Sequence, residues 1–420
     1  MRKVYLIFTF VLLIGVLAGC GQDGSAVEIT VVSPFDASDG NRNNFVGALE
    51  AFESSTEFSV IDVSEKSSEE WKAKVRDEFQ SGKDPDVLFY FTGADADKLV
   101  EGDKFVSLSD IRKSYPDYAS NMKDSMMPVS TFDGRQYAVP VNGYWEGMFV
   151  NKKVLEACGV DVPGADYTWD RFLEDCRIIK NNGYTPISCS LMEVPHYWFE
   201  YAVFNNGSIT NHVKLPQNSG DAIGQKWAAG LLDIKYLYEN GFFPENTTTI
   251  SYDDACLLMV DNEAAFMIDG SWKVGWFLEN AANIDDFAVT YVPAKGERAA
   301  TEIVGGLSMG YYITKKAWDD PKKSPACVAF VEAMTTDEVV SAFAALSVTA
   351  LKNGTTPMEN ADSLAVSALA MTKNCTGIVP AAQDNLNASA RSAFFEDFGN
   401  IVTGRTTPEE AIDKCLSIKE

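Results

Sequence analysis

Histidine is nearly absent from this chain: 420 residues contain two, His196 and His212. That leaves little material for a zinc centre or a Ser-His nucleophile. None of the eight cysteines forms a CxxC pair, so neither a zinc knuckle nor a dithiol redox motif is supported. No glycine-rich phosphate loop follows the first strand, and HExxH is missing. Positive charge is scarce too. Against 60 Asp and Glu stand 35 Lys and Arg, and the formal net charge is −25. A surface so acidic repels phosphate backbones, which argues against nucleic-acid binding and against a highly anionic ligand. No low-complexity block interrupts a chain that is 46% hydrophobic. The chain is therefore globular, and too long for one ordinary core, so two domains are expected.

What is present begins at the N-terminus. Arg2-Lys3 precedes an apolar run, Val4 to Val16, that is too short and too early for a stable spanning helix. The run ends in Leu17-Ala18-Gly19-Cys20, which resembles the bacterial lipobox. That resemblance implies removal of residues 1–19, lipidation of Cys20 and a polar tether over residues 20–26. Such an anchor fixes a folded domain to the outer face of a membrane. Seven cysteines remain, an odd number at irregular spacing, and no pairing is named by the sequence.

Downstream, strands and helices alternate. Glu28 to Ser33 is an alternating, β-branched strand, and Phe45 to Glu53 has helical spacing. Phe58 to Val63 is a second strand. Ser68 to Ser81 reads as a helix with Trp71, Val75 and Phe79 on one face, and Val87 to Phe91 as a buried strand of parallel type. This is βαβ order, which implies an open α/β sheet with ligands beyond the carboxyl ends of its strands. The loops from Pro34 to Asn41 and from Thr92 to Asp97 meet that rule. Ile303 to Thr314 is strand-like with a Gly pair, and helices dominate from Pro325 onward.

The rest is organised around Phe132 to Lys153. Asp133-Gly134 is a turn signal, and Pro140 confines the run from Tyr137 to Val141 to an edge or crossing segment. Asn142-Gly143-Tyr144-Trp145-Glu146 is expected to be the least regular part of the chain. Two large rings beside a carboxylate suit a small-molecule site. The same rings would serve equally to close a core.

Several stretches together resemble one family, the extracellular solute-binding proteins of ABC importers, in the branch that contains sugar-binding lipoproteins. They are DPDVLFYF, DGRQYAVPVNGYWEGMFVNKKVLEACGV, TWDRFLEDCRIIKNNGYTPIS, AAFMIDGSW, EIVGGLSMGYYIT and RTTPEEAID, in family order. Val150 and Phe266 depart from the family's usual Tyr and Met, apolar for apolar. The resemblance implies two α/β lobes of periplasmic-binding-protein type, joined by crossing segments, with the ligand in the cleft between them. The first lobe is expected to hold residues 27–139 and 306–345, the second 140–305 and 346–420. Hinge closure around the ligand follows.

The cleft is then expected to be lined by Phe35, Asp36, Asp39, Phe91, Thr92 and Asp95 from the first lobe. Tyr144, Trp145, Glu146, His196, Trp198, Asp269, Trp272 and Gly306 complete it. Trp272 corresponds to the ring of the family's "GSW" and is the first choice to stack on a pyranose face, followed by Tyr144 and Trp198. Asp36, Asp95 and Glu146 would accept hydroxyl hydrogen bonds, although each could instead cap a helix or sit in solvent. No cofactor, no metal and no catalytic residue are expected. The reading is a monomeric receptor for a sugar or oligosaccharide, partnered by importer permease subunits. Two rivals stay open: the same fold binding a polyamine or other small cation, and a surface glycoside hydrolase using paired acids such as Glu146 and Asp269.

Overall fold

The computed structural model describes residues 27–419, apart from 131, 142, 210–211, 213, 344–348 and 354–360. The leader, the lipidation site Cys20, the tether, Asn142 and the expected helix end at Ala344-Ala345 lie outside the described residues.

The chain opens β1 (Val27–Ser33), α1 (Arg42–Ser55), β2 (Phe58–Ser64), α2 (Glu69–Gln80), β3 (Val87–Phe91) and α3 (Ala94–Glu101). Local chemistry explains α2. The Ser68 hydroxyl accepts from the Trp71 amide at 3.1 Å, and Glu69 and Glu70 sit in the positive first turn. Trp71, Val75 and Phe79 then recur on one buried face. β1 runs parallel to β2 and β3. Ile29, Val31, Val87 and Phe89 pack with Phe45 and Phe52 of α1 on one side of this sheet. Val32, Leu88 and Tyr90 pack with α2 and α3 on the other. Burial on both faces is why β3 reads as a continuous apolar run.

Further strands are β4 (Val139–Pro140), β5 (Tyr144–Asn151), β6 (Thr185–Ile187), β7 (Ala264–Gly270), β8 (Phe287–Thr290), β9 (Glu302–Gly306), β10 (Met309–Ile313) and β11 (Gly377–Val379). They complete two sheets, β2-β1-β3-β10-β4 and β11-β9-β5-β7-β6, with β8 added to β5. Each sheet centres one α/β lobe. Pro140 sits on an edge strand, as a residue without an amide proton must.

The chain passes between sheets from β4 to β5 and from β9 to β10. The expected single strand over Ile303–Thr314 is thus two strands in different sheets, broken at Leu307-Ser308. Gly305 permits that crossing, because a Cβ there would stand 2.6 Å from the Tyr144 carbonyl oxygen. A third passage comes later than expected. Ala350 accepts from the Lys123 amide and Lys352 donates to the Asn121 carbonyl, so the chain stays on the first lobe past residue 345. The helix Ser363–Asn374 then packs Leu364, Ala368 and Met371 against Phe287 and Val289 of the second lobe.

Candidate functional site

The two lobes face one another beside the crossings, and the second lobe supplies most of the rings. Tyr144 and Glu146 belong to the regular strand β5, a correction to the expected irregular patch. Alternation along β5 turns Tyr144 and Met148 to one face and Trp145 and Phe149 to the other. Trp145 is therefore fully buried in one core with Phe149 and Phe277. Two other expected rings are also in cores. Phe35 packs on Phe45, Phe89 and Phe343 at 4.8–5.2 Å. Trp198 packs on Phe172 and Phe243. Aromatic area is used for packing wherever strand or helix phase turns it inward.

Trp272 behaves differently. It is 42% exposed, with its ring 6.3 Å from Tyr144 and 5.9 Å from Tyr197. The indole lies over Gly270, where an added Cβ would sit 2.2 Å from two ring carbons, so only glycine fits. Asp269 holds the arrangement from beneath. Its fully buried carboxylate accepts from Tyr252 Oη at 2.5 Å and the Gly270 amide at 2.7 Å, with a further hydrogen bond from Trp272. Burial raises its pKa, and the Lys273 ammonium pulls the other way. Asp269 thus positions the ring and is not a free ligand acceptor.

Glu146 is the unsatisfied group. Its side chain is buried, and Oε2 has no hydrogen-bond partner. Burial pushes its pKa well up, and Glu200, Asp384 and Asp269 push the same way. Burial thus disfavours the charged form, and a carboxyl that holds its proton can donate as well as accept. Glu200 is committed elsewhere, accepting from the Ala382 and Gln383 amides with His212 Nε2 3.2 Å away. Asp384 is pushed up to about 7 by burial, opposed by Lys72 and Arg391. His196 is half-buried against Tyr197 and Phe395, and burial, with Lys72 adding, lowers it to about 3.

From the first lobe, Asp36 accepts from the Ser38 amide and hydroxyl. Asp39 accepts from the Asn41 amide at 2.7 Å, and burial raises it to about 6. The Thr92 amide donates to the Ser308 carbonyl at the second crossing, near Gly306. The Phe91 ring lies 3.9 Å from Lys72 Nζ. Asp95 is buried between two cations, Lys72 at 3.1 Å and Arg391 at 2.9 Å, rather than open to a ligand hydroxyl. The expected residues that come together around the ring are Tyr144, Glu146, Asp269 and Trp272. Tyr197, Lys72, Asp384 and Arg391 were not anticipated. Only Tyr197 carried a sequence signal, as a member of the dense aromatic run from His196 to Tyr201.

Residues 45–341 match the profile of the bacterial extracellular solute-binding protein family. An uncharacterized ABC transporter extracellular-binding protein of Pyrococcus horikoshii is 25% identical over 47% of this chain. The match spans 44% of that relative, less than half its length. Among solved structures, a chitin oligosaccharide binding protein is similar at TM-score 0.80 and 20% identity, covering 93% of this chain and 97% of that one. A maltose/maltodextrin-binding domain from Bdellovibrio bacteriovorus bound to maltotriose aligns at TM-score 0.69 and 17% identity, covering 93% and 98%. A solute-binding protein in complex with raffinose aligns at 0.71 and 19%, with the same two coverages. These likenesses establish the two-lobed fold. With the family profile matched across most of its length, the chain belongs to the bacterial extracellular solute-binding proteins.

Proposed function

We propose that this chain is a receptor, not an enzyme, that captures a sugar or oligosaccharide outside the membrane and delivers it to the permease of an ABC importer. Export with lipidation at Cys20, a monomeric state and hinge closure of the lobes expected from the sequence belong to the same proposal. The observation that carries it is the exposed Trp272 ring, flanked by Tyr144 and Tyr197, beside the unpartnered Glu146 carboxyl. A flat pyranose C–H face needs such a ring, and its hydroxyls need a group that both donates and accepts. Leaving one of those hydrogen bonds unmade costs about 1–3 kcal/mol, which is the source of specificity. Chitin oligosaccharide, maltotriose and raffinose in the names of the structural neighbours support the same ligand class.

The acids of the site, Glu146 and Asp384 above all, favour one second reading, a small cation such as a polyamine. The hydrolase reading loses support because Asp269, the expected partner acid of Glu146, is committed to Tyr252, Gly270 and Trp272. A thermal-shift panel of sugars against polyamines tests the proposal. Stabilisation by a sugar supports it; stabilisation by a polyamine alone refutes the sugar class; product formed from an oligosaccharide refutes the receptor.

A further inference from the structure

The lobes meet on both faces of the sheets, not at the crossings alone. On the face of the first sheet that carries α2 and α3, Arg391 reaches across from the helix Ala388–Glu396 of the second lobe. Its Nη2 lies 3.0 Å from Glu69 Oε2, at the start of α2, and 2.9 Å from Asp95 Oδ1, at the start of α3. The Arg391 side chain is 2% exposed, and Lys72 completes the cluster at 3.1 Å from both acids. On the opposite face, which carries α1, the loop after β1 touches the second lobe. A Cβ on Gly40 would be 3.6 Å from the Trp272 carbonyl oxygen, and one on Gly275 would be 3.7 Å from the Gly40 Cα. The same division holds in the second lobe. Arg391 lies on the face of Tyr144 and Met148, whereas the helix Lys273–Asn280 lies on that of Trp145 and Phe149.

The crossings thus close one side of the space between the lobes, and a lobe-to-lobe contact stands on each face of the sheets. A polymer lying between the lobes from one face to the other would have to pass through those contacts. We infer that this receptor takes a short saccharide, or the terminus of a longer one, held by its end against Trp272, and that Arg391 is the residue that limits ligand length. The inference rests on the sugar reading above and narrows it. The way in is along the sheet edges β2 and β6, farthest from the crossings. Only the first one or two sugar units are then enclosed, and later units project into solvent. Arg391 is suited to this because its side chain is buried and its Nη2 is shared by two carboxylates, Glu69 and Asp95, unlike a single flexible surface pair.

Calorimetric titration of the full mature chain with β-1,4-N-acetylglucosamine, α-1,4-glucose and β-1,4-xylose oligomers of one to five units provides the test. In the series that binds, affinity is expected to level off by the second unit, changing less than about threefold thereafter, where full contact with each added unit would give roughly tenfold steps. Arg391→Met, which keeps the side-chain volume, is expected to raise the ratio of pentamer to dimer affinity about tenfold or more, a difference of about 1.4 kcal/mol. Should Arg391→Met fail to fold, Arg391→Lys, which keeps the charge but replaces the planar guanidinium with a shorter reach, is read the same way. A residue that only biased opening and closing would scale every length alike and leave that ratio unmoved. An unchanged ratio, or wild-type affinity that climbs through the fifth unit, overturns the inference. If no oligomer of any length binds, the sugar reading itself falls.

Discussion

Arg391 and Asp95, 296 positions apart in sequence, lie side by side in the structure, with Nη2 donating to Oδ1 at 2.9 Å and to Oδ2 at 3.1 Å. One stands on each lobe. Burial by itself would raise the Asp95 carboxyl, but Lys72 and Arg391 outweigh it and hold the pKa below the ordinary value. The pair is a fastening across the groove as well as a wall.

Arg391→Ala is expected to destabilise the ligand-free protein by about 3 kcal/mol, the lower end for breaking a buried pair, because Lys72 still serves Asp95. The sign with pH follows from the depressed acid: its contribution is present above the unfolded pKa and is lost as pH falls through the folded one. Denaturant melts of wild type and variant should therefore converge in acid. A constant gap down to about pH 2 would contradict this.

Gly270 and Trp272 form a second test. Gly270→Ala puts a methyl where the indole lies, so the ring must leave its place. Ligand affinity is expected to fall at least tenfold, about 1.4 kcal/mol, by titration calorimetry. Undiminished affinity would remove the Trp272 ring from the site.

Glu146 makes a pH prediction of opposite sign. Its folded pKa is raised, chiefly by burial, so folding is favoured by proton uptake. That contribution is complete below the unfolded pKa and is lost as pH rises toward the folded one. Glu146→Gln keeps the shape of the neutral acid without that cost. It should raise stability at about pH 8 by more than about 1 kcal/mol while changing little at about pH 4. A variant less stable than wild type at the higher pH would mean that the carboxylate is charged and paired.

The scaffold was legible where one kind of local chemistry decides. β3 is an apolar run because helices cover both its faces, β1 and β2 showed as β-branched strands, and α2 follows from Ser68 and the Trp71–Phe79 spacing. Pro140 announced an edge because it lacks a donor. The site was harder to read. Tyr144, Trp145 and Glu146 were readable as a group of useful residues, but which of them faces the groove depends on the phase of β5, set by pairing with β7 more than a hundred residues away. Trp272 stood out only through its place in the GSW stretch; nothing local marked Phe35 and Trp198 as core, and tertiary packing decides that two are core and one is exposed. Arg391 carried no local signal, since its meaning comes entirely from Asp95 and Glu69 on the other lobe.

The most direct test is calorimetric titration of wild type and Trp272→Ala with chitin-, malto- and xylo-disaccharides, raffinose and spermidine. Wild type is expected to bind one of the sugars, with affinity for it lost by about a hundredfold or more in Trp272→Ala, while the melting temperature without ligand moves little because the ring is 42% exposed. Binding of spermidine alone, or a sugar bound equally well by both proteins, would contradict the account.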